Sequence, residues 1–260
     1  VAVVTGAGQG IGAAIASLFG HAGLAVVVND INLEAAGQVA TAIYEDGGQS
    51  VADYNDISTL AGGAALIEQA LDTFGRVDIV VNNAGVLRDG LVENLSEEEW
   101  DDVLNTHLKG TFAVTRAAVP HMKAQHWGRI LAMTSTSGLI GTIGQANYAA
   151  AKAGIVGFMR SVALELFRHR ITTNCISPFA GVTPATSGNG LSPAHAAHLA
   201  LFLTSEAAGS LSGQVLGVRG HEFIVFSQPR PMIIYHNHEG WTVQSLTGIA
   251  PSLVGVPLET

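Results

Sequence analysis

The strongest constraint on the fold of this chain is an alternation of strand-like and helix-like segments over residues 1–220. Short runs rich in β-branched residues are followed by longer stretches of helical period, which predicts a parallel sheet with helical crossovers. The strand candidates are apolar on both faces, which favours a sheet buried between two helix layers. We predict a doubly wound α/β fold with seven parallel strands. The predicted strands are residues 1–5, 24–30, 50–56, 77–83, 128–135, 171–177 and 214–218, and the predicted helices are 11–22, 32–46, 59–74, 97–125, 147–169 and 192–206.

The C-terminal segment, residues 221–260, differs from the rest in composition. It is rich in proline and aromatic residues and has no clear period apart from a short helical stretch at 242–249. Its prolines Pro229 and Pro231 favour an extended path. We expect residues 1–220 to form one domain and the C-terminal segment to form an arm packed on that domain or on a neighbouring subunit.

Composition excludes several classes of function. With 48% hydrophobic and 13% charged residues, the chain is unlike a disordered or coiled-coil protein. Its net charge of −9 repels phosphate backbones, so we expect no nucleic-acid partner. We also expect no membrane span, because apolar runs stay below the roughly 18 residues that a spanning helix needs. The single Cys175 allows no intrachain disulfide and is compatible with a reducing compartment, so we predict a cytoplasmic location.

The first strand candidate runs into a glycine-rich loop, TGAGQGIG at residues 5–12, which opens a helix. Gly6 permits a tight turn, Gly10 lets the backbone approach a pyrophosphate, and Gly12 allows helix and strand to pack closely. The N–H groups and positive dipole end of the helix would bind phosphates. This context indicates a Rossmann-type dinucleotide site in the 1–220 domain. The predicted contacts from the loop are Gly6, Gln9, Gly10, Ile11 and Gly12.

Asp30, at the end of the second strand candidate, selects between the two nicotinamide dinucleotides. A carboxylate at this position accepts hydrogen bonds from the adenosine ribose and repels the additional phosphate of NADP. Enzymes that use NADP normally bind that phosphate with arginine or lysine, and this chain has neither before Arg76. NAD is therefore the predicted cofactor.

The ends of the third and fourth strand candidates are predicted to line the same groove, because open α/β sheets bind ligands at the carboxyl ends of their strands. A carboxylate after the third strand can accept from an adenine amino group. Small residues after the fourth strand leave room for the ribose and nicotinamide. The predicted contacts are Asp56, Ile57, Asn83, Ala84 and Gly85.

Tyr148 and Lys152 lie four residues apart at the head of a helix candidate, so their side chains leave one face about one turn apart. At about 4 Å and an effective dielectric near 20, an ammonium would stabilise the phenolate by roughly 4 kcal/mol, or about three pKa units. That would bring the pKa of the tyrosine towards about 7, where it can serve as general acid or base.

Ser135, at the end of the fifth strand candidate in MTSTSG, can hold a substrate oxygen beside this phenol. Thr134, Thr136 and Ser137 are its neighbours, so which hydroxyl points inward depends on the register. Alternation with a period of two places Ser135 and Ser137 on one side.

These features, in this order, resemble the short-chain dehydrogenase/reductase family over residues 1 to about 220. The features are TGAGQGIG, NNAG, Ser135 and the Tyr-x-x-x-Lys pair. The resemblance implies a Rossmann-type sheet, an NAD(P) cofactor and reversible hydride transfer between an alcohol and a carbonyl. It also implies that Tyr148 is the catalytic acid–base and contacts the cofactor, that Lys152 lowers the pKa of Tyr148 and binds the nicotinamide ribose, and that Ser135 orients the substrate.

Three positions depart from the family pattern. His107, in HLKGTF, replaces an asparagine that supports a water-mediated proton path to the lysine in the family, so His107 either maintains or alters that path. The usual proline–glycine after the sixth strand is Pro178-Phe179, and we expect Pro178 to contact the cofactor. The stretch before the helix at 192–206 is shorter than the family's substrate lid. We expect either a chain break near Ala180–Gly181 or a short lid, and we also expect the natural protein to continue before Val1.

The chain resembles the hydroxyacyl-CoA dehydrogenase unit of multifunctional fatty-acid β-oxidation enzymes in three segments and in the residues His107 and Trp241. The segments are VVVND, NNAGVLRD and GQANYAAAKAG. This resemblance implies that a 3-hydroxyacyl thioester is oxidised to the 3-oxo compound. An oxoacyl carrier-protein thioester, a steroid and another secondary alcohol are alternative substrates.

A non-catalytic dinucleotide sensor on the same fold is an alternative of another class, although sensing would not require Ser135, Tyr148 and Lys152. We predict a small-molecule alcohol or ketone as partner and no metal. The apolar helix faces and the arm favour a homo-oligomer, either the tetramer common in the family or a dimer.

Overall fold

The computed structural model describes residues 1–178, 192–220, 222–229, 234–238 and 240–253, with side chains described up to residue 249. Its contacts divide the chain into two compact units, Val1–Phe226 and Ser227–Thr260. The predicted chain break or short lid near Ala180–Gly181 lies outside the described residues.

The larger unit contains an eight-stranded sheet with the order β3-β2-β1-β4-β5-β6-β7-β8. Strands β1 to β7 are parallel, and β8 is antiparallel to β7. The strands are β1 (Ala2–Thr5), β2 (Ala25–Asn29), β3 (Gln49–Asp53), β4 (Ile79–Asn82), β5 (Gly128–Met133), β6 (Ile171–Pro178), β7 (Val215–Arg219) and β8 (Glu222–Val225). The predicted doubly wound fold with seven parallel strands is therefore confirmed.

Strand β8 is an addition to the predicted sheet and lies at the start of the segment expected to be an arm. The chain reverses at Gly220, whose φ of +56° is readily adopted by glycine. Phe223, Ile224 and Val225 then pair with Val218, Gly217 and Leu216. These β-branched and aromatic side chains suit a strand, but the short run lacked a period that distinguishes it from an extended arm.

Helices cover both faces of the sheet. They are α1 (Gly10–His21), α2 (Leu33–Glu45), α3 (Leu60–Phe74), α4 (Glu97–Leu104), α5 (Gly110–Ala124), α6 (Thr136–Ile140), α7 (Ala146–Leu166) and α8 (Pro193–Thr204) in the larger unit, and α9 (Val243–Leu253) in the smaller one. Side chains at the predicted boundaries begin several of them. Asn32 accepts from the Ala35 N–H at 3.1 Å, and Ser96 and Glu99 form a reciprocal capping box at α4. None of the described helices is long and apolar enough to cross a membrane.

The helix predicted at 97–125 is interrupted. Helices α4 and α5 are joined by a π-helical turn, Asn105–Lys109, which contains His107. The backbone continues in helical conformation through the turn, with φ and ψ of −67° and −44° at Asn105. The helical period of apolar residues therefore continues through the turn and does not reveal it. The wider turn changes the direction in which His107 leaves the helix, and such turns are frequent at functional sites.

The core consists of two apolar clusters that lie on opposite faces of the sheet. Adjacent residues of β1 belong to different clusters. Val4 belongs to the cluster that contains Phe19 of α1, and Val3 belongs to the cluster that contains Leu66 of α3. All four side chains are fully buried. Strand β1 also pairs with β2 on one side and β4 on the other, so the strand order reverses beside it. In open α/β sheets a ligand crevice forms at such a switch point, outside the carboxyl ends of the strands.

Candidate active site

The glycine-rich loop joins β1 to α1 and is shaped by close contacts. Gly6 and Gly10 have φ values of +60° and +58°. A Cβ atom on Gly6 would lie 2.6 Å from the Ala84 Cα, and one on Gly12 would lie 2.2 Å from the Gly6 carbonyl oxygen. A Cβ on Gly10 would instead meet open space. Helix α1 begins at this open side, and within the described chain Gln9 makes no side-chain capping bond to it. Its first N–H groups are therefore available to an anion such as a pyrophosphate, which fits the predicted cofactor.

Asp30 lies beside this loop with its carboxylate held by two backbone donors. One oxygen accepts from the Gly8 N–H at 3.0 Å and the other accepts from the Asn32 N–H at 3.0 Å. The carboxylate is only partly buried. It therefore places a negative charge and free acceptor capacity at the edge of the groove, as the predicted contact with a ribose requires.

The NNAG segment after β4 is tied to the glycine-rich loop. The Asn83 side chain donates to the backbone oxygens of Thr5 and Gly6 at 3.0 and 2.9 Å. The Thr5 hydroxyl accepts from the N–H groups of Asn83 and Ala84 at 3.0 and 3.1 Å. These bonds use much of the hydrogen-bonding capacity of Asn83 within the protein. Gly85 completes the segment beside His107.

At the end of β3, the buried carboxylate is not the one that the sequence singles out. The exposed Asp56 accepts from the Ser58 N–H at 2.9 Å, and Ile57 is buried beside Gly110 of α5. The fully buried carboxylate here is Asp53, which accepts from the Asn29 side-chain amide at 2.6 Å. Asp53 had not been singled out from the sequence. The roles of Asp56 and Ile57 in cofactor binding stay predictions.

A cavity of about 360 Å³ lies at the carboxyl edge of the sheet. It brings together residues from the start of α1, the NNAG segment, the π-helical turn, the end of β5, α7 and the end of β6. Of the residues predicted for the site, the lining includes Ile11, Asn83, Gly85, His107, Ser135, Tyr148, Lys152 and Pro178. The other predicted residues are not among those that line it, namely Gly6, Gln9, Gly10, Gly12, Asp30, Asp56, Ile57 and Ala84.

Lys152 is buried on α7 and projects across the sheet edge. Its Nζ donates to the Met133 carbonyl oxygen at 2.7 Å and lies 5.5 Å from the centre of the Tyr148 ring. Burial lowers the pKa of Lys152 to about 7. The amine and ammonium forms of Lys152 are thus both accessible near neutral pH, so this side chain can gain or release a proton there.

Tyr148 sits one turn before Lys152, as predicted from their spacing. Its pKa is raised above the ordinary value, chiefly because burial disfavours the phenolate, whereas a hydrogen bond from Ser135 lowers it and the charge of Asp89 raises it further. The predicted lowering by Lys152 is not seen in the protein alone. The attraction between the two charges follows from their spacing along the helix, whereas the burial of both groups, which opposes ionisation, does not.

Ser135 begins α6 and accepts from the Ser137 N–H at 3.2 Å. Ser135 and Ser137 both line the cavity, as the alternation indicated, and Thr136 does not. Thr134 also reaches the lining, but its hydroxyl donates to the Lys152 carbonyl oxygen at 3.0 Å. Of these hydroxyl groups, the Ser135 hydroxyl is the one whose hydrogen bond lowers the pKa of Tyr148.

His107 is buried and packs against Gly85, where a Cβ atom would lie 2.1 Å from the His107 Cε1. Its Nε2 lies 2.8 Å from the Val86 carbonyl oxygen and 3.0 Å from the Val86 nitrogen. Burial, with a smaller effect of the Lys152 charge, lowers the pKa of His107 to about 3, so the ring is neutral at physiological pH. The ring meets Tyr148 edge-on at 5.3 Å between centroids. Its Nδ1 is buried without a hydrogen-bond partner in the described structure.

A polar network next to Ser135 was missed from the sequence. Ser137 donates to the Gln145 Oε1 at 2.9 Å and accepts from the Thr142 hydroxyl at 2.9 Å. Gln145 in turn donates to both carboxylate oxygens of Asp89 at 3.2 Å. The one available signal was the position of Gln145, three residues before Tyr148 in GQANY. Its partner lies 56 residues away, which no local pattern indicates.

Comparison with known proteins agrees with this fold. Residues 1–191 match the family model described as short chain dehydrogenase. The chain belongs to the short-chain dehydrogenase/reductase family, an oxidoreductase family that typically uses a nicotinamide dinucleotide and acts on CH–OH groups.

Individual relatives extend this assignment. The chain is 43% identical to the peroxisomal multifunctional enzyme type 2 of Mus musculus over 82% of its own length and 31% of that protein. It thus spans about a third of that relative's length. It is 41% identical to a short-chain type dehydrogenase/reductase of Mycobacterium tuberculosis, over 84% of this chain and 82% of that protein. A solved short chain dehydrogenase from Mycobacterium avium superposes with a TM-score of 0.92 at 35% identity, covering 98% of this chain and 94% of that one.

Proposed function

We propose that this protein is an NAD-dependent dehydrogenase/reductase that interconverts a secondary alcohol and a ketone, with Tyr148 as the acid–base. The observation that carries the proposal is that Ser135, Tyr148 and Lys152 line one cavity together with Ile11 of the glycine-rich loop. A phenol, a hydroxyl and a lysine beside a dinucleotide loop are the groups that proton transfer from an alcohol requires.

The residues near the loop fit a dinucleotide. The first N–H groups of α1 and the open side of Gly10 would hold the pyrophosphate, and Asp30 would accept from the adenosine ribose. The charge of Asp30 favours NAD, because the additional phosphate of NADP would meet a like charge. When bound, the nicotinamide ring supplies the acceptor or donor of the hydride.

The chain's own residues would handle the proton. Tyr148 accepts the proton of the substrate hydroxyl during oxidation and returns it during reduction. Ser135 donates a hydrogen bond to the oxygen as negative charge develops there. Lys152, with a pKa of about 7 and its Nζ 5.5 Å from the centre of the Tyr148 ring, would exchange a proton with the phenol. His107, neutral and with its Nδ1 unpaired, can hold a water molecule on that path as an acceptor.

For the substrate we propose a 3-hydroxyacyl-CoA, oxidised to the 3-oxo compound. The support is the similarity of the NNAGVLRD and GQANYAAAKAG segments to the dehydrogenase unit of multifunctional β-oxidation enzymes, together with the identity to a multifunctional enzyme. The homo-oligomeric state stays a prediction, supported by apolar side chains exposed on α7 and just after it, such as Leu164 and Phe167 at 83% and 77%. The cytoplasmic location likewise stays a prediction.

The test is a substrate panel. Purified protein is incubated with NAD or NADP and with 3-hydroxyacyl-CoA thioesters, steroids and simple secondary alcohols, and the formation of reduced cofactor is followed by absorbance. We expect turnover with NAD and a 3-hydroxyacyl-CoA. Turnover of steroids alone would replace the substrate assignment, and tight NAD binding without turnover of any alcohol would favour a dinucleotide sensor.

A further inference from the structure

The cavity beside Tyr148 offers little to neutralise an anion. Among the described residues that line it, Lys152 is the one that can carry a positive charge near neutral pH. Its Nζ is buried and already donates to the Met133 carbonyl oxygen at 2.7 Å.

A negative charge lies directly behind the lining. Gln145 lines the cavity, and its amide nitrogen is 3.2 Å from both carboxylate oxygens of Asp89. The backbone holds this arrangement, because the Gly90 N–H donates to the Gly144 carbonyl oxygen at 2.8 Å and Gly90 forms a parallel bridge with Gln145. Burial is the main cause of the raised pKa of Tyr148, and the charge of Asp89 raises it further.

The cation nearest to Asp89 in sequence is engaged elsewhere. The Arg88 guanidinium donates to Asp102 at 3.0 Å and to the Leu87 carbonyl oxygen at 2.9 Å. An anionic substrate group in the cavity would therefore be separated from the carboxylate of Asp89 by the Gln145 side chain, with Arg88 paired to another acid. Loss of hydration without a charged partner disfavours such binding.

We propose that Asp89, held by Gln145, is a specificity-determining residue that restricts the site to alcohols whose neighbouring acyl group is uncharged. Thioesters and esters satisfy this condition, whereas free hydroxy acids do not. In a 3-hydroxy acid one carbon separates the reacting carbon from the carboxylate, so both must enter the same cavity when the hydroxyl reaches Tyr148. The inference rests on the proposed function, because it concerns the substrate of that reaction.

The experiment compares substrates that share one carbon skeleton. Wild-type protein with NAD is given 3-hydroxybutyrate, its methyl ester and its CoA thioester. We expect kcat/KM for the methyl ester to exceed that for the free acid at least about tenfold, because the carboxylate loses its hydration unpaired. Asp89→Asn keeps an oxygen that can accept from Gln145 but removes the charge. It should narrow the ratio of kcat/KM for the ester to kcat/KM for the acid by about 1.4- to 5-fold, the range for an exposed, solvent-screened charge.

Asp72→Asn is the matched control, because it removes the same charge from an exposed residue of α3 that does not line the cavity. In this control the ratio of kcat/KM for the ester to kcat/KM for the acid should equal that of the wild type. Raising the salt concentration should narrow the wild-type ratio without any substitution, which keeps the inference testable if Asp89→Asn does not fold.

The experiment distinguishes failure of this inference from failure of the proposed function. Equal use of acid and ester by the wild type, or an unchanged ratio in Asp89→Asn, would overturn the inference and leave the proposed function standing. Absence of turnover with all three substrates and every other alcohol tested would overturn the proposed function, and the inference with it.

Discussion

Replacing Lys152 with methionine should stabilise the protein without cofactor near neutral pH, although it should abolish turnover. Burial lowers the pKa of Lys152 to about 7, and in the unfolded chain it returns to the ordinary value of 10.5. Between these values the unfolded chain binds more protons than the folded protein. The free energy of unfolding of the wild type therefore rises with pH across this interval and is lowest, for this group, at and below pH 7.

The magnitude follows from the same two values. The gap between 10.5 and about 7 corresponds to roughly 4 kcal/mol of lost stability near neutral pH. Methionine removes this penalty but leaves the Met133 carbonyl oxygen without its 2.7 Å donor, which costs about 2 kcal/mol. The variant should therefore be more stable than the wild type by about 2 kcal/mol near pH 7, and less stable by a similar amount near pH 10.5, where the penalty is almost gone.

The assay is urea unfolding of cofactor-free protein at both pH values, followed by tryptophan fluorescence at fixed protein concentration. Lys123→Met, on α5 and outside the cavity lining, is the matched control, and its effect should be similar at both pH values. If Lys152→Met were less stable than the wild type by the same amount at both pH values, the reasoning about its pKa would be refuted.

Three further predictions concern the site. Ser135→Ala should move the rise of the alcohol-oxidation rate with pH to higher pH, because a hydrogen bond from Ser135 lowers the pKa of Tyr148; a pH–rate profile that stays in place would count against this role. Gly85→Ala should destabilise the protein by about 1–3 kcal/mol in thermal denaturation, since its Cβ would meet the His107 ring. The double variant with His107→Ala should regain most of that loss, and additive losses would contradict the contact. Asp30→Ala should relax the preference for NAD over NADP in kcat/KM, and an unchanged ratio would exclude Asp30 as its source.

The sheet could be predicted from sequence because its signal is local. Each parallel strand is a short apolar run followed by a helix, and side chains such as Asn32 mark the helix starts. The π-helical turn at Asn105–Lys109 was missed because the apolar period passes through it unchanged. Strand β8 was missed because a short run of β-formers after Gly220 does not by itself identify its pairing partner.

The candidate site was predictable where spacing alone brings residues together. Tyr148 and Lys152 share a helix face, so their proximity follows from helix geometry. The contact of Gln145 with Asp89 depends on how two loops pack, and the pKa of Tyr148 depends on burial. Neither this contact nor this pKa can be obtained from the order of residues along the chain.

The central claim is that Tyr148 transfers the proton while the dinucleotide site functions independently of it. The most direct measurement compares Tyr148→Phe with Tyr44→Phe, an exposed tyrosine of α2, for NAD binding by calorimetry and for formation of NADH from the preferred alcohol. We predict that both variants bind NAD as the wild type does and that Tyr148→Phe alone loses turnover by about 100-fold or more. Turnover by Tyr148→Phe within a few-fold of Tyr44→Phe would contradict the account.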